Sequence, residues 1–344
     1  MEKRVDHQVI IIGAGPAGLI LGYYLKSLGI NYLILDKNMT AGSSWTQMPD
    51  QLRLISHWQS NCLLPEDLKL FPRDTVHKAK DFAEYLIQFS KRHALTIEFQ
   101  KDVVDFLKDD DRFIINTPDK TYHSDFLIDC RGHFNFPFIP PLDISGNPPF
   151  MLHFKDYKNA EQFKNYKKIL IVGKRLSAGQ ILNELAASDD HELFISARSE
   201  VKFSSHPVIY NYFLSHLDFI ESVIKKIKSN LKNEVEVPMH FNARKVFETR
   251  TVLKKDIKKI VNHDVTFQDS STEKIDAIIY TTGFKPPKAV LKNDFESVDE
   301  DGLFYLGRNS QRTFTSRFLR GIREDAQVLS GILLSRLASR NKRQ

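Results

Sequence analysis

The stretch Val9-Ile-Ile-Ile12, Gly13-Ala-Gly15-Pro16-Ala17-Gly18, Leu19 to Leu28, Gly29, then Tyr32-Leu-Ile-Leu35-Asp36 decides the fold. The opening apolar run has no polar alternation, as expected of a parallel strand buried on both faces. A helical pattern follows and closes at Gly29, and a second apolar strand ends at an acid. This is a βαβ unit whose glycines stand where its geometry needs them. Gly13 allows the tight turn, Gly15 lets backbone approach a pyrophosphate, and Gly18 lets helix pack closely on strand. Pro16 suits the first helical turn, where its missing N–H would be unpaired anyway. The helix N-terminus then faces phosphates, and Asp36 is placed to accept hydrogen bonds from a ribose.

The same arrangement recurs. Lys168-Ile-Leu-Ile-Val172 reads as a strand, Gly173-Lys174-Arg175-Leu-Ser177-Ala178-Gly179 as a turn, Gln180 to Ala187 as a helix, and Glu192-Leu-Phe-Ile195 as a strand that ends near Ser196 and Arg198. Each copy is followed by short β-like runs and one more buried strand ending at a glycine. Those strands are Phe126 to Gly132 and Ala277-Ile-Ile-Tyr-Thr-Thr282-Gly283. A period of about 150 residues is domain duplication, not a solenoid. Two nucleotide-binding units imply two nucleotide cofactors. Gly302-Leu-Phe-Tyr-Leu-Gly307 reads as a strand with no second half of its own, and the helical stretch Phe318 to Ala338 follows it. The expected architecture is α/β, with two Rossmann-like dinucleotide-binding domains, the second inserted in the first. Residues 1–150 and 285–344 would form the first domain and 151–284 the second.

Composition narrows the rest. A chain of 344 residues with 42% hydrophobic and 27% charged residues is an ordinary globular one, long enough for two domains. The two cysteines, Cys62 and Cys130, lie too far apart for a disulfide framework, a zinc cluster or a Cys-x-x-Cys pair. The apolar run at Val9–Ile12 is too brief for a signal peptide, and no stretch reaches the ~18 apolar residues of a membrane span. The expected setting is cytoplasmic. A net charge of +6 suits nucleic acid, an anionic membrane or phosphate-bearing small molecules. No nucleic-acid motif is present, so the partner expected is a small-molecule substrate, with no nucleic acid and no integral membrane segment; a homodimer stays open.

The order GAGPAG, Asp36, Gly-Ser-Ser44-Trp45, LRLIS at 52–56, a second nucleotide motif, TTGFKP at 281–286 and GLFYLG resembles the flavin-containing monooxygenases. More broadly it is similar to two-dinucleotide-domain flavoproteins of the pyridine nucleotide-disulfide oxidoreductase type. The resemblance implies an FAD- and NADPH-dependent enzyme, with FAD on the first unit and NADPH on the second. It would place Gly13, Gly15, Pro16, Ala17 and Gly18 at the FAD pyrophosphate, Asp36 with Lys37 at the adenosine ribose, and Val103 at the adenine. Ser44 and Trp45 match a loop over the flavin, with Ser43 in place of that loop's second glycine. Gly307 and an offset Asn309 fall near the ribityl chain. The helix starting near Phe318-Leu319 would aim its positive end at the flavin pyrimidine ring. The strand-end residues Gly132, Thr282 and Gly283 join the cofactor walls, and His153-x-x-x-Tyr157 is a partial match to a further family marker.

On the NADPH side, Gly173, Lys174, Ser177 and Ala178 follow the motif, but Arg175 replaces the glycine that lets backbone touch the pyrophosphate. Arg175 either contacts the phosphates itself, or the dinucleotide sits differently, or binding is lost. Arg198 stands where NADP-preferring members carry a partner for the 2′-phosphate. Cys130-Arg131-Gly132 replaces the usual Ala-Thr-Gly. The implied chemistry is hydride transfer to flavin, then capture of O2 as a C4a-hydroperoxide that oxygenates a small nitrogen-, sulfur- or ketone-containing substrate. His57 and Asn61, in Ser56-His-Trp-Gln-Ser-Asn61, are the polar candidates beside the flavin, and Trp58 suits the core. The alternatives are a flavin or low-molecular-weight disulfide reductase, with Cys62 as its single thiol, and a non-catalytic nucleotide-binding redox sensor. A stripe of Phe213, Leu217, Ile220, Ile224, Ile227 and Leu231 among lysines reads as a basic amphipathic helix, a lid packed on its own domain in preference to a membrane or partner contact.

Overall fold

The computed structural model describes residues 6–204, 216, 219–220, 223–224, 237–309 and 311–341. Of the basic amphipathic stripe at 213–232, only Ile220 and Ile224 fall among them; Phe213, Leu217, Ile227 and Leu231 lie outside the described residues. Among the described residues, β1 (Asp6–Ile12), β2 (Tyr32–Asp36), β3 (Ile97–Phe99), β4 (Asp105–Asp109), β5 (Arg112–Asn116) and β6 (Thr121–Asp129) line up in the order β3-β2-β1-β6-β5-β4. The first four positions of that order are parallel, and β5 and β4 turn back as an antiparallel hairpin. The chain then forms β7 (Asp143–Ser145), β8 (Phe150–His153), β9 (Lys168–Val172), β10 (Glu192–Ser196) and β11 (Thr251–Lys254). After these come β12 (Ile257–Val261), β13 (Asp264–Phe267), β14 (Thr272–Lys274), β15 (Ala277–Tyr280) and β16 (Leu303–Tyr305). The second parallel sheet runs β11-β10-β9-β15-β8, and a smaller sheet runs β14-β13-β12-β7. β16 returns to the first sheet, where Leu303 to Tyr305 pair in parallel with Leu127 to Asp129 of β6. β7 and β8 both pair with strands of the second unit.

The duplication holds down to single hydrogen bonds. In the first unit Gly13 N–H donates to Leu35 O at 2.8 Å and Cys130 N–H to Ile12 O at 2.9 Å. In the second, Gly173 N–H donates to Ser196 O at 3.0 Å and Thr281 N–H to Val172 O at 2.8 Å. Each glycine turn is thus pinned between the two strands that flank the first strand of its unit. Bounded α-helices among the described residues are α1 (Pro16–Ser27), α2 (Ser43–Thr46), α3 (Trp58–Asn61), α4 (Ala79–Arg92), α5 (Leu176–Leu185), α6 (Arg244–Arg250) and α7 (Leu319–Asn341). α7 buries Leu319, Ile322, Ala326, Leu329, Leu333 and Leu337, at three- and four-residue spacing, in one core with Leu21 and Leu25 of α1 and Ile128 of β6. Each leucine or isoleucine so removed from water contributes about 1.5–3 kcal/mol, which is why the C-terminal helix is bound to the first sheet.

Two stretches carry the chain between units, and they pair with each other. Phe138 N–H donates to Gly283 O at 3.0 Å and Lys285 N–H to Phe136 O at 2.8 Å. Among the described residues no helix is long and apolar enough to cross a membrane.

Candidate active site

Both glycine turns open into one cleft of about 700 Å³. Gly15, Pro16 and Ala17 line it from the first unit, and Gly173, Lys174, Arg175 and Ser177 from the second. At the first turn, Gly13 has φ +106°, and a Cβ there would stand 2.9 Å from Cys130 O. A Cβ on Gly18 would stand 2.0 Å from Gly13 O, so this glycine is what lets α1 rest on the turn. Around Gly15 a Cβ would meet nothing within 4 Å. α1 starts there with no side-chain cap, leaving its first N–H groups to whatever occupies the cleft. That open, uncapped cradle fits a dinucleotide diphosphate.

Asp36, 8% exposed, closes the β2 end of the same turn. Its Oδ2 accepts from Ala14 N–H at 2.6 Å, and its Oδ1 accepts from the backbone N–H and side-chain amide of Asn38 at 2.8 and 2.9 Å. One acceptor position on Oδ2 remains for a ribose hydroxyl. Gly42 N–H donates to Ala14 O at 2.8 Å, which ties the α2 loop to the turn and brings Ser44 and Trp45 to the cleft. Gly132, Thr282, Gly283, Gly307 and Leu319 also line it. Gly13, Gly18 and Ala178 lie behind the wall as support, and Asp36 stands beside the turn, beyond the cleft lining.

The second turn repeats the plan with changes. Gly173 has φ +141°, and a Cβ there would stand 2.1 Å from Thr281 Oγ1. Arg175 caps α5 in extended conformation and faces the cleft. Lys174 Nζ donates to Glu200 O at 3.2 Å, and Arg198 Nε donates to Asp256 Oδ2 at 3.0 Å. All three cations and Asp256 form one wall. Asp256 comes from the β11–β12 turn, so nothing near the nucleotide motif in sequence announced it. The set fits a phosphorylated dinucleotide, with Arg198 and Lys174 beside the end of β10.

Several expected site residues do not line the cleft, or meet it with their polar atoms engaged. Lys37 and Asn309 are exposed outside the cleft, and Val103 is buried in the core on the other face of the first sheet. His57 is buried behind the cleft wall, its Nδ1 without a partner, and burial lowers its pKa. Asn61 does reach the cleft, but its amide is engaged with Ser56: Ser56 Oγ donates to Oδ1 at 2.6 Å, and Nδ2 donates to Ser56 O at 2.7 Å. Trp58 is core, its indole N–H donating to Asp67 O at 3.2 Å. His153 is 4% exposed and structural: Nδ1 accepts from Lys155 N–H at 3.1 Å, so Nε2–H is left to donate to Gly283 O at 3.1 Å.

The expected thiol needs correcting. Cys62 is fully buried beside Arg323, away from the cleft, whereas Cys130 lines it. Burial, then the charge of Asp129, pushes the Cys130 thiol well up. Sequence reasoning also missed the aromatic wall of Phe134, Phe138 and Phe284, with His133 stacked on Phe134 at 4.6 Å. It missed the cationic lining from Arg53, Arg131, Lys285, Arg317 and Arg320 as well. These residues come from loops and helix ends that have no periodic signal.

Comparison with known proteins agrees with this architecture. The family model for pyridine nucleotide-disulphide oxidoreductases matches residues 10–321. An uncharacterized oxidoreductase, CzcO of Bacillus subtilis, is 28% identical, over 94% of this chain and 98% of its own length. Among solved structures, a flavin-containing monooxygenase from Stenotrophomonas maltophilia superposes with TM-score 0.80 at 18% identity, covering 97% of this chain and 99% of that one. A bacillithiol disulfide reductase from Staphylococcus aureus gives 0.73 at 17%, covering 96% and 99%.

Proposed function

The chain belongs to the pyridine nucleotide-disulphide oxidoreductase family, and from that premise we propose that it is an FAD- and NADPH-dependent monooxygenase of small nitrogen-, sulfur- or ketone-containing substrates. The first unit, residues 1–150 with 285–344, would hold FAD, and the inserted second unit would hold NADPH. The pairing of β7 and β8 argues for drawing the first boundary a little earlier, ahead of residue 143. The observation that carries the reading is the single cleft shared by both glycine turns, which lets two dinucleotides meet. Such a pair supplies hydride transfer from nicotinamide to flavin and the activation of O2 for oxygen insertion.

The protein's own contribution is binding, orientation and the exclusion of water. The N–H groups at the start of α1 and the Asp36 carboxylate would hold FAD. Lys174, Arg175 and Arg198 would hold NADPH phosphates. Phe134, Phe138 and Phe284 give the middle of the cleft an apolar wall, which keeps water from competing with an organic substrate. Asn61 fixes Ser56 at the cleft edge through two hydrogen bonds. The thiols favour oxygenation over disulfide reduction, because Cys130 is held protonated and Cys62 lies off the cleft. A protonated thiol is a poor nucleophile.

The test supplies purified holoprotein with NADPH and 18O2, using thioanisole, trimethylamine and phenylacetone as probes. Products carrying 18O with matching NADPH consumption are expected. Anaerobic NADPH-driven reduction of a low-molecular-weight disulfide, with no oxygenated product in air, would replace this reading with the reductase one.

A further inference from the structure

The Cys130-Arg131-Gly132 sequence departs from the usual Ala-Thr-Gly, and the structure gives that departure a physical setting. Arg131 stands two residues past the end of β6 and lines the cleft. The Cys130 carbonyl oxygen and the Arg131 backbone nitrogen lie 2.9 and 3.3 Å from where a Cβ of Gly13 would stand, so Arg131 is rooted against the first glycine turn. Asp129, 3% exposed, grips it three times: its carboxylate accepts from Arg131 N–H at 3.0 Å, Nε at 3.1 Å and Nη2 at 2.9 Å. Arg308 Nη2 donates to the same carboxylate at 3.3 Å, leaving the trio with a net positive charge. Burial alone would raise the Asp129 carboxyl, but the Arg131 hydrogen bonds and charge outweigh it and hold it below the usual range. Asp102 is the other carboxylate whose charge reaches Arg131. Asp102 follows Lys101, whose N–H donates to Asp36 O at 2.9 Å.

A guanidinium with two nitrogens spent on a buried carboxylate has lost its rotamer freedom before any ligand arrives. It still presents Nη1, with 37% of the side chain open to solvent. We propose that Arg131, locked by Asp129 beside the Gly13–Gly15 turn, is an anion clamp for the diphosphate of the dinucleotide held by the first unit. The clamp supplements the N–H groups of α1 with a fixed positive charge, and a threonine in its place would bring no such charge. This rests on the reading that the first unit holds FAD.

The experiment titrates FAD and riboflavin, by quenching of flavin fluorescence, into flavin-free protein, wild type and Arg131→Gln, at low and high salt. Riboflavin lacks the diphosphate. FAD affinity should fall by about ten- to a hundredfold in Arg131→Gln, the effect of losing a charge-assisted hydrogen bond. Its salt dependence should fall too, while riboflavin affinity stays unchanged and reports that the site is folded. Arg131→Lys, which keeps the charge but not the fork, should fall between, and it carries the test if the glutamine variant does not fold. Equal FAD affinity in wild type and both variants would show a purely structural staple and overturn the clamp. An equal loss for riboflavin and FAD would also overturn it, because the contact would then be to the isoalloxazine or ribityl part. Absence of FAD binding by the wild type itself would instead overturn the functional reading, and the clamp with it.

Discussion

Gly15→Ala and Gly18→Ala make the same chemical change three residues apart, and the structure assigns them opposite consequences. At Gly18 the new methyl would stand 2.0 Å from Gly13 O, where ordinary contact begins at 3.4 Å. The turn or α1 must therefore move by more than an ångström. Overpacking of this kind costs about 1–3 kcal/mol. The better helix propensity of alanine offsets about 1 kcal/mol of that. Flavin-free Gly18→Ala should therefore lose up to about 2 kcal/mol, a fall of a few degrees in melting temperature. At Gly15 the methyl meets nothing within 4 Å, and the backbone, at φ −83° and ψ −176°, is one alanine adopts freely. The flavin-free Gly15→Ala protein should be as stable as wild type, or more so by about 0.4–1 kcal/mol through the unfolded chain. Its FAD affinity should fall about tenfold or more, because the methyl stands where a phosphate must approach the α1 N–H groups. Thermal melts of flavin-free protein and fluorescence titrations with FAD measure the two effects separately. If Gly15→Ala lowers the melting temperature as much as Gly18→Ala, or binds FAD as tightly as wild type, the cradle argument is wrong.

Three further outcomes are expected. His133 is pushed down to about 4, first by burial and then by the charges of Arg317 and Arg308, from an ordinary 6.5. As pH falls the unfolded chain takes up that proton first, so stability is full above 6.5 and is lost between 6.5 and about 4. The loss is at most about 3 kcal/mol and smaller in proportion to the water that reaches this partly buried ring. His133→Gln should flatten the urea midpoint across that window, and an unchanged slope would contradict the assignment. Arg198 shares its guanidinium with Asp256, so Asp256→Asn should raise the kcat/KM ratio of NADPH over NADH by about two- to fivefold, the worth of an exposed ion pair. Arg198→Ala should lower the same ratio, and constancy in both would place the 2′-phosphate elsewhere. Asn61→Ala removes two hydrogen bonds at the cleft edge and should depress kcat for NADPH oxidation without changing the KM for NADPH. His57→Ala, behind the wall, should leave both within about twofold; equal impairment by the two would place His57 in the chemistry.

What the sequence determined by itself is local and periodic. Apolar runs such as Val9–Ile12 and Lys168–Val172 can only be parallel strands buried on both faces, and the glycines after them are needed wherever backbone meets backbone. That logic reached Gly13, Gly15, Gly18 and Gly173, and each clash that a Cβ would meet, or fail to meet, bears on it. It also found the duplication, because a repeated βαβ unit repeats its pattern. It did not reach residues whose role depends on meeting a distant partner. Asp256 faces Arg198 across 58 positions, and Arg308 meets Asp129 across 179. Asn61 and His57, four residues apart in one segment, part company because His57 is the extended residue ahead of α3 whereas Asn61 ends the helix at the cleft. The +6 charge was visible from composition, but only folding gathers Arg53, Arg131, Lys174, Arg175, Arg198, Lys285, Arg317 and Arg320 around one cleft. Burial and charge are properties of the neighbours that folding brings, so the sequence determined the frame, and only the tertiary structure decided which side chains face its contents.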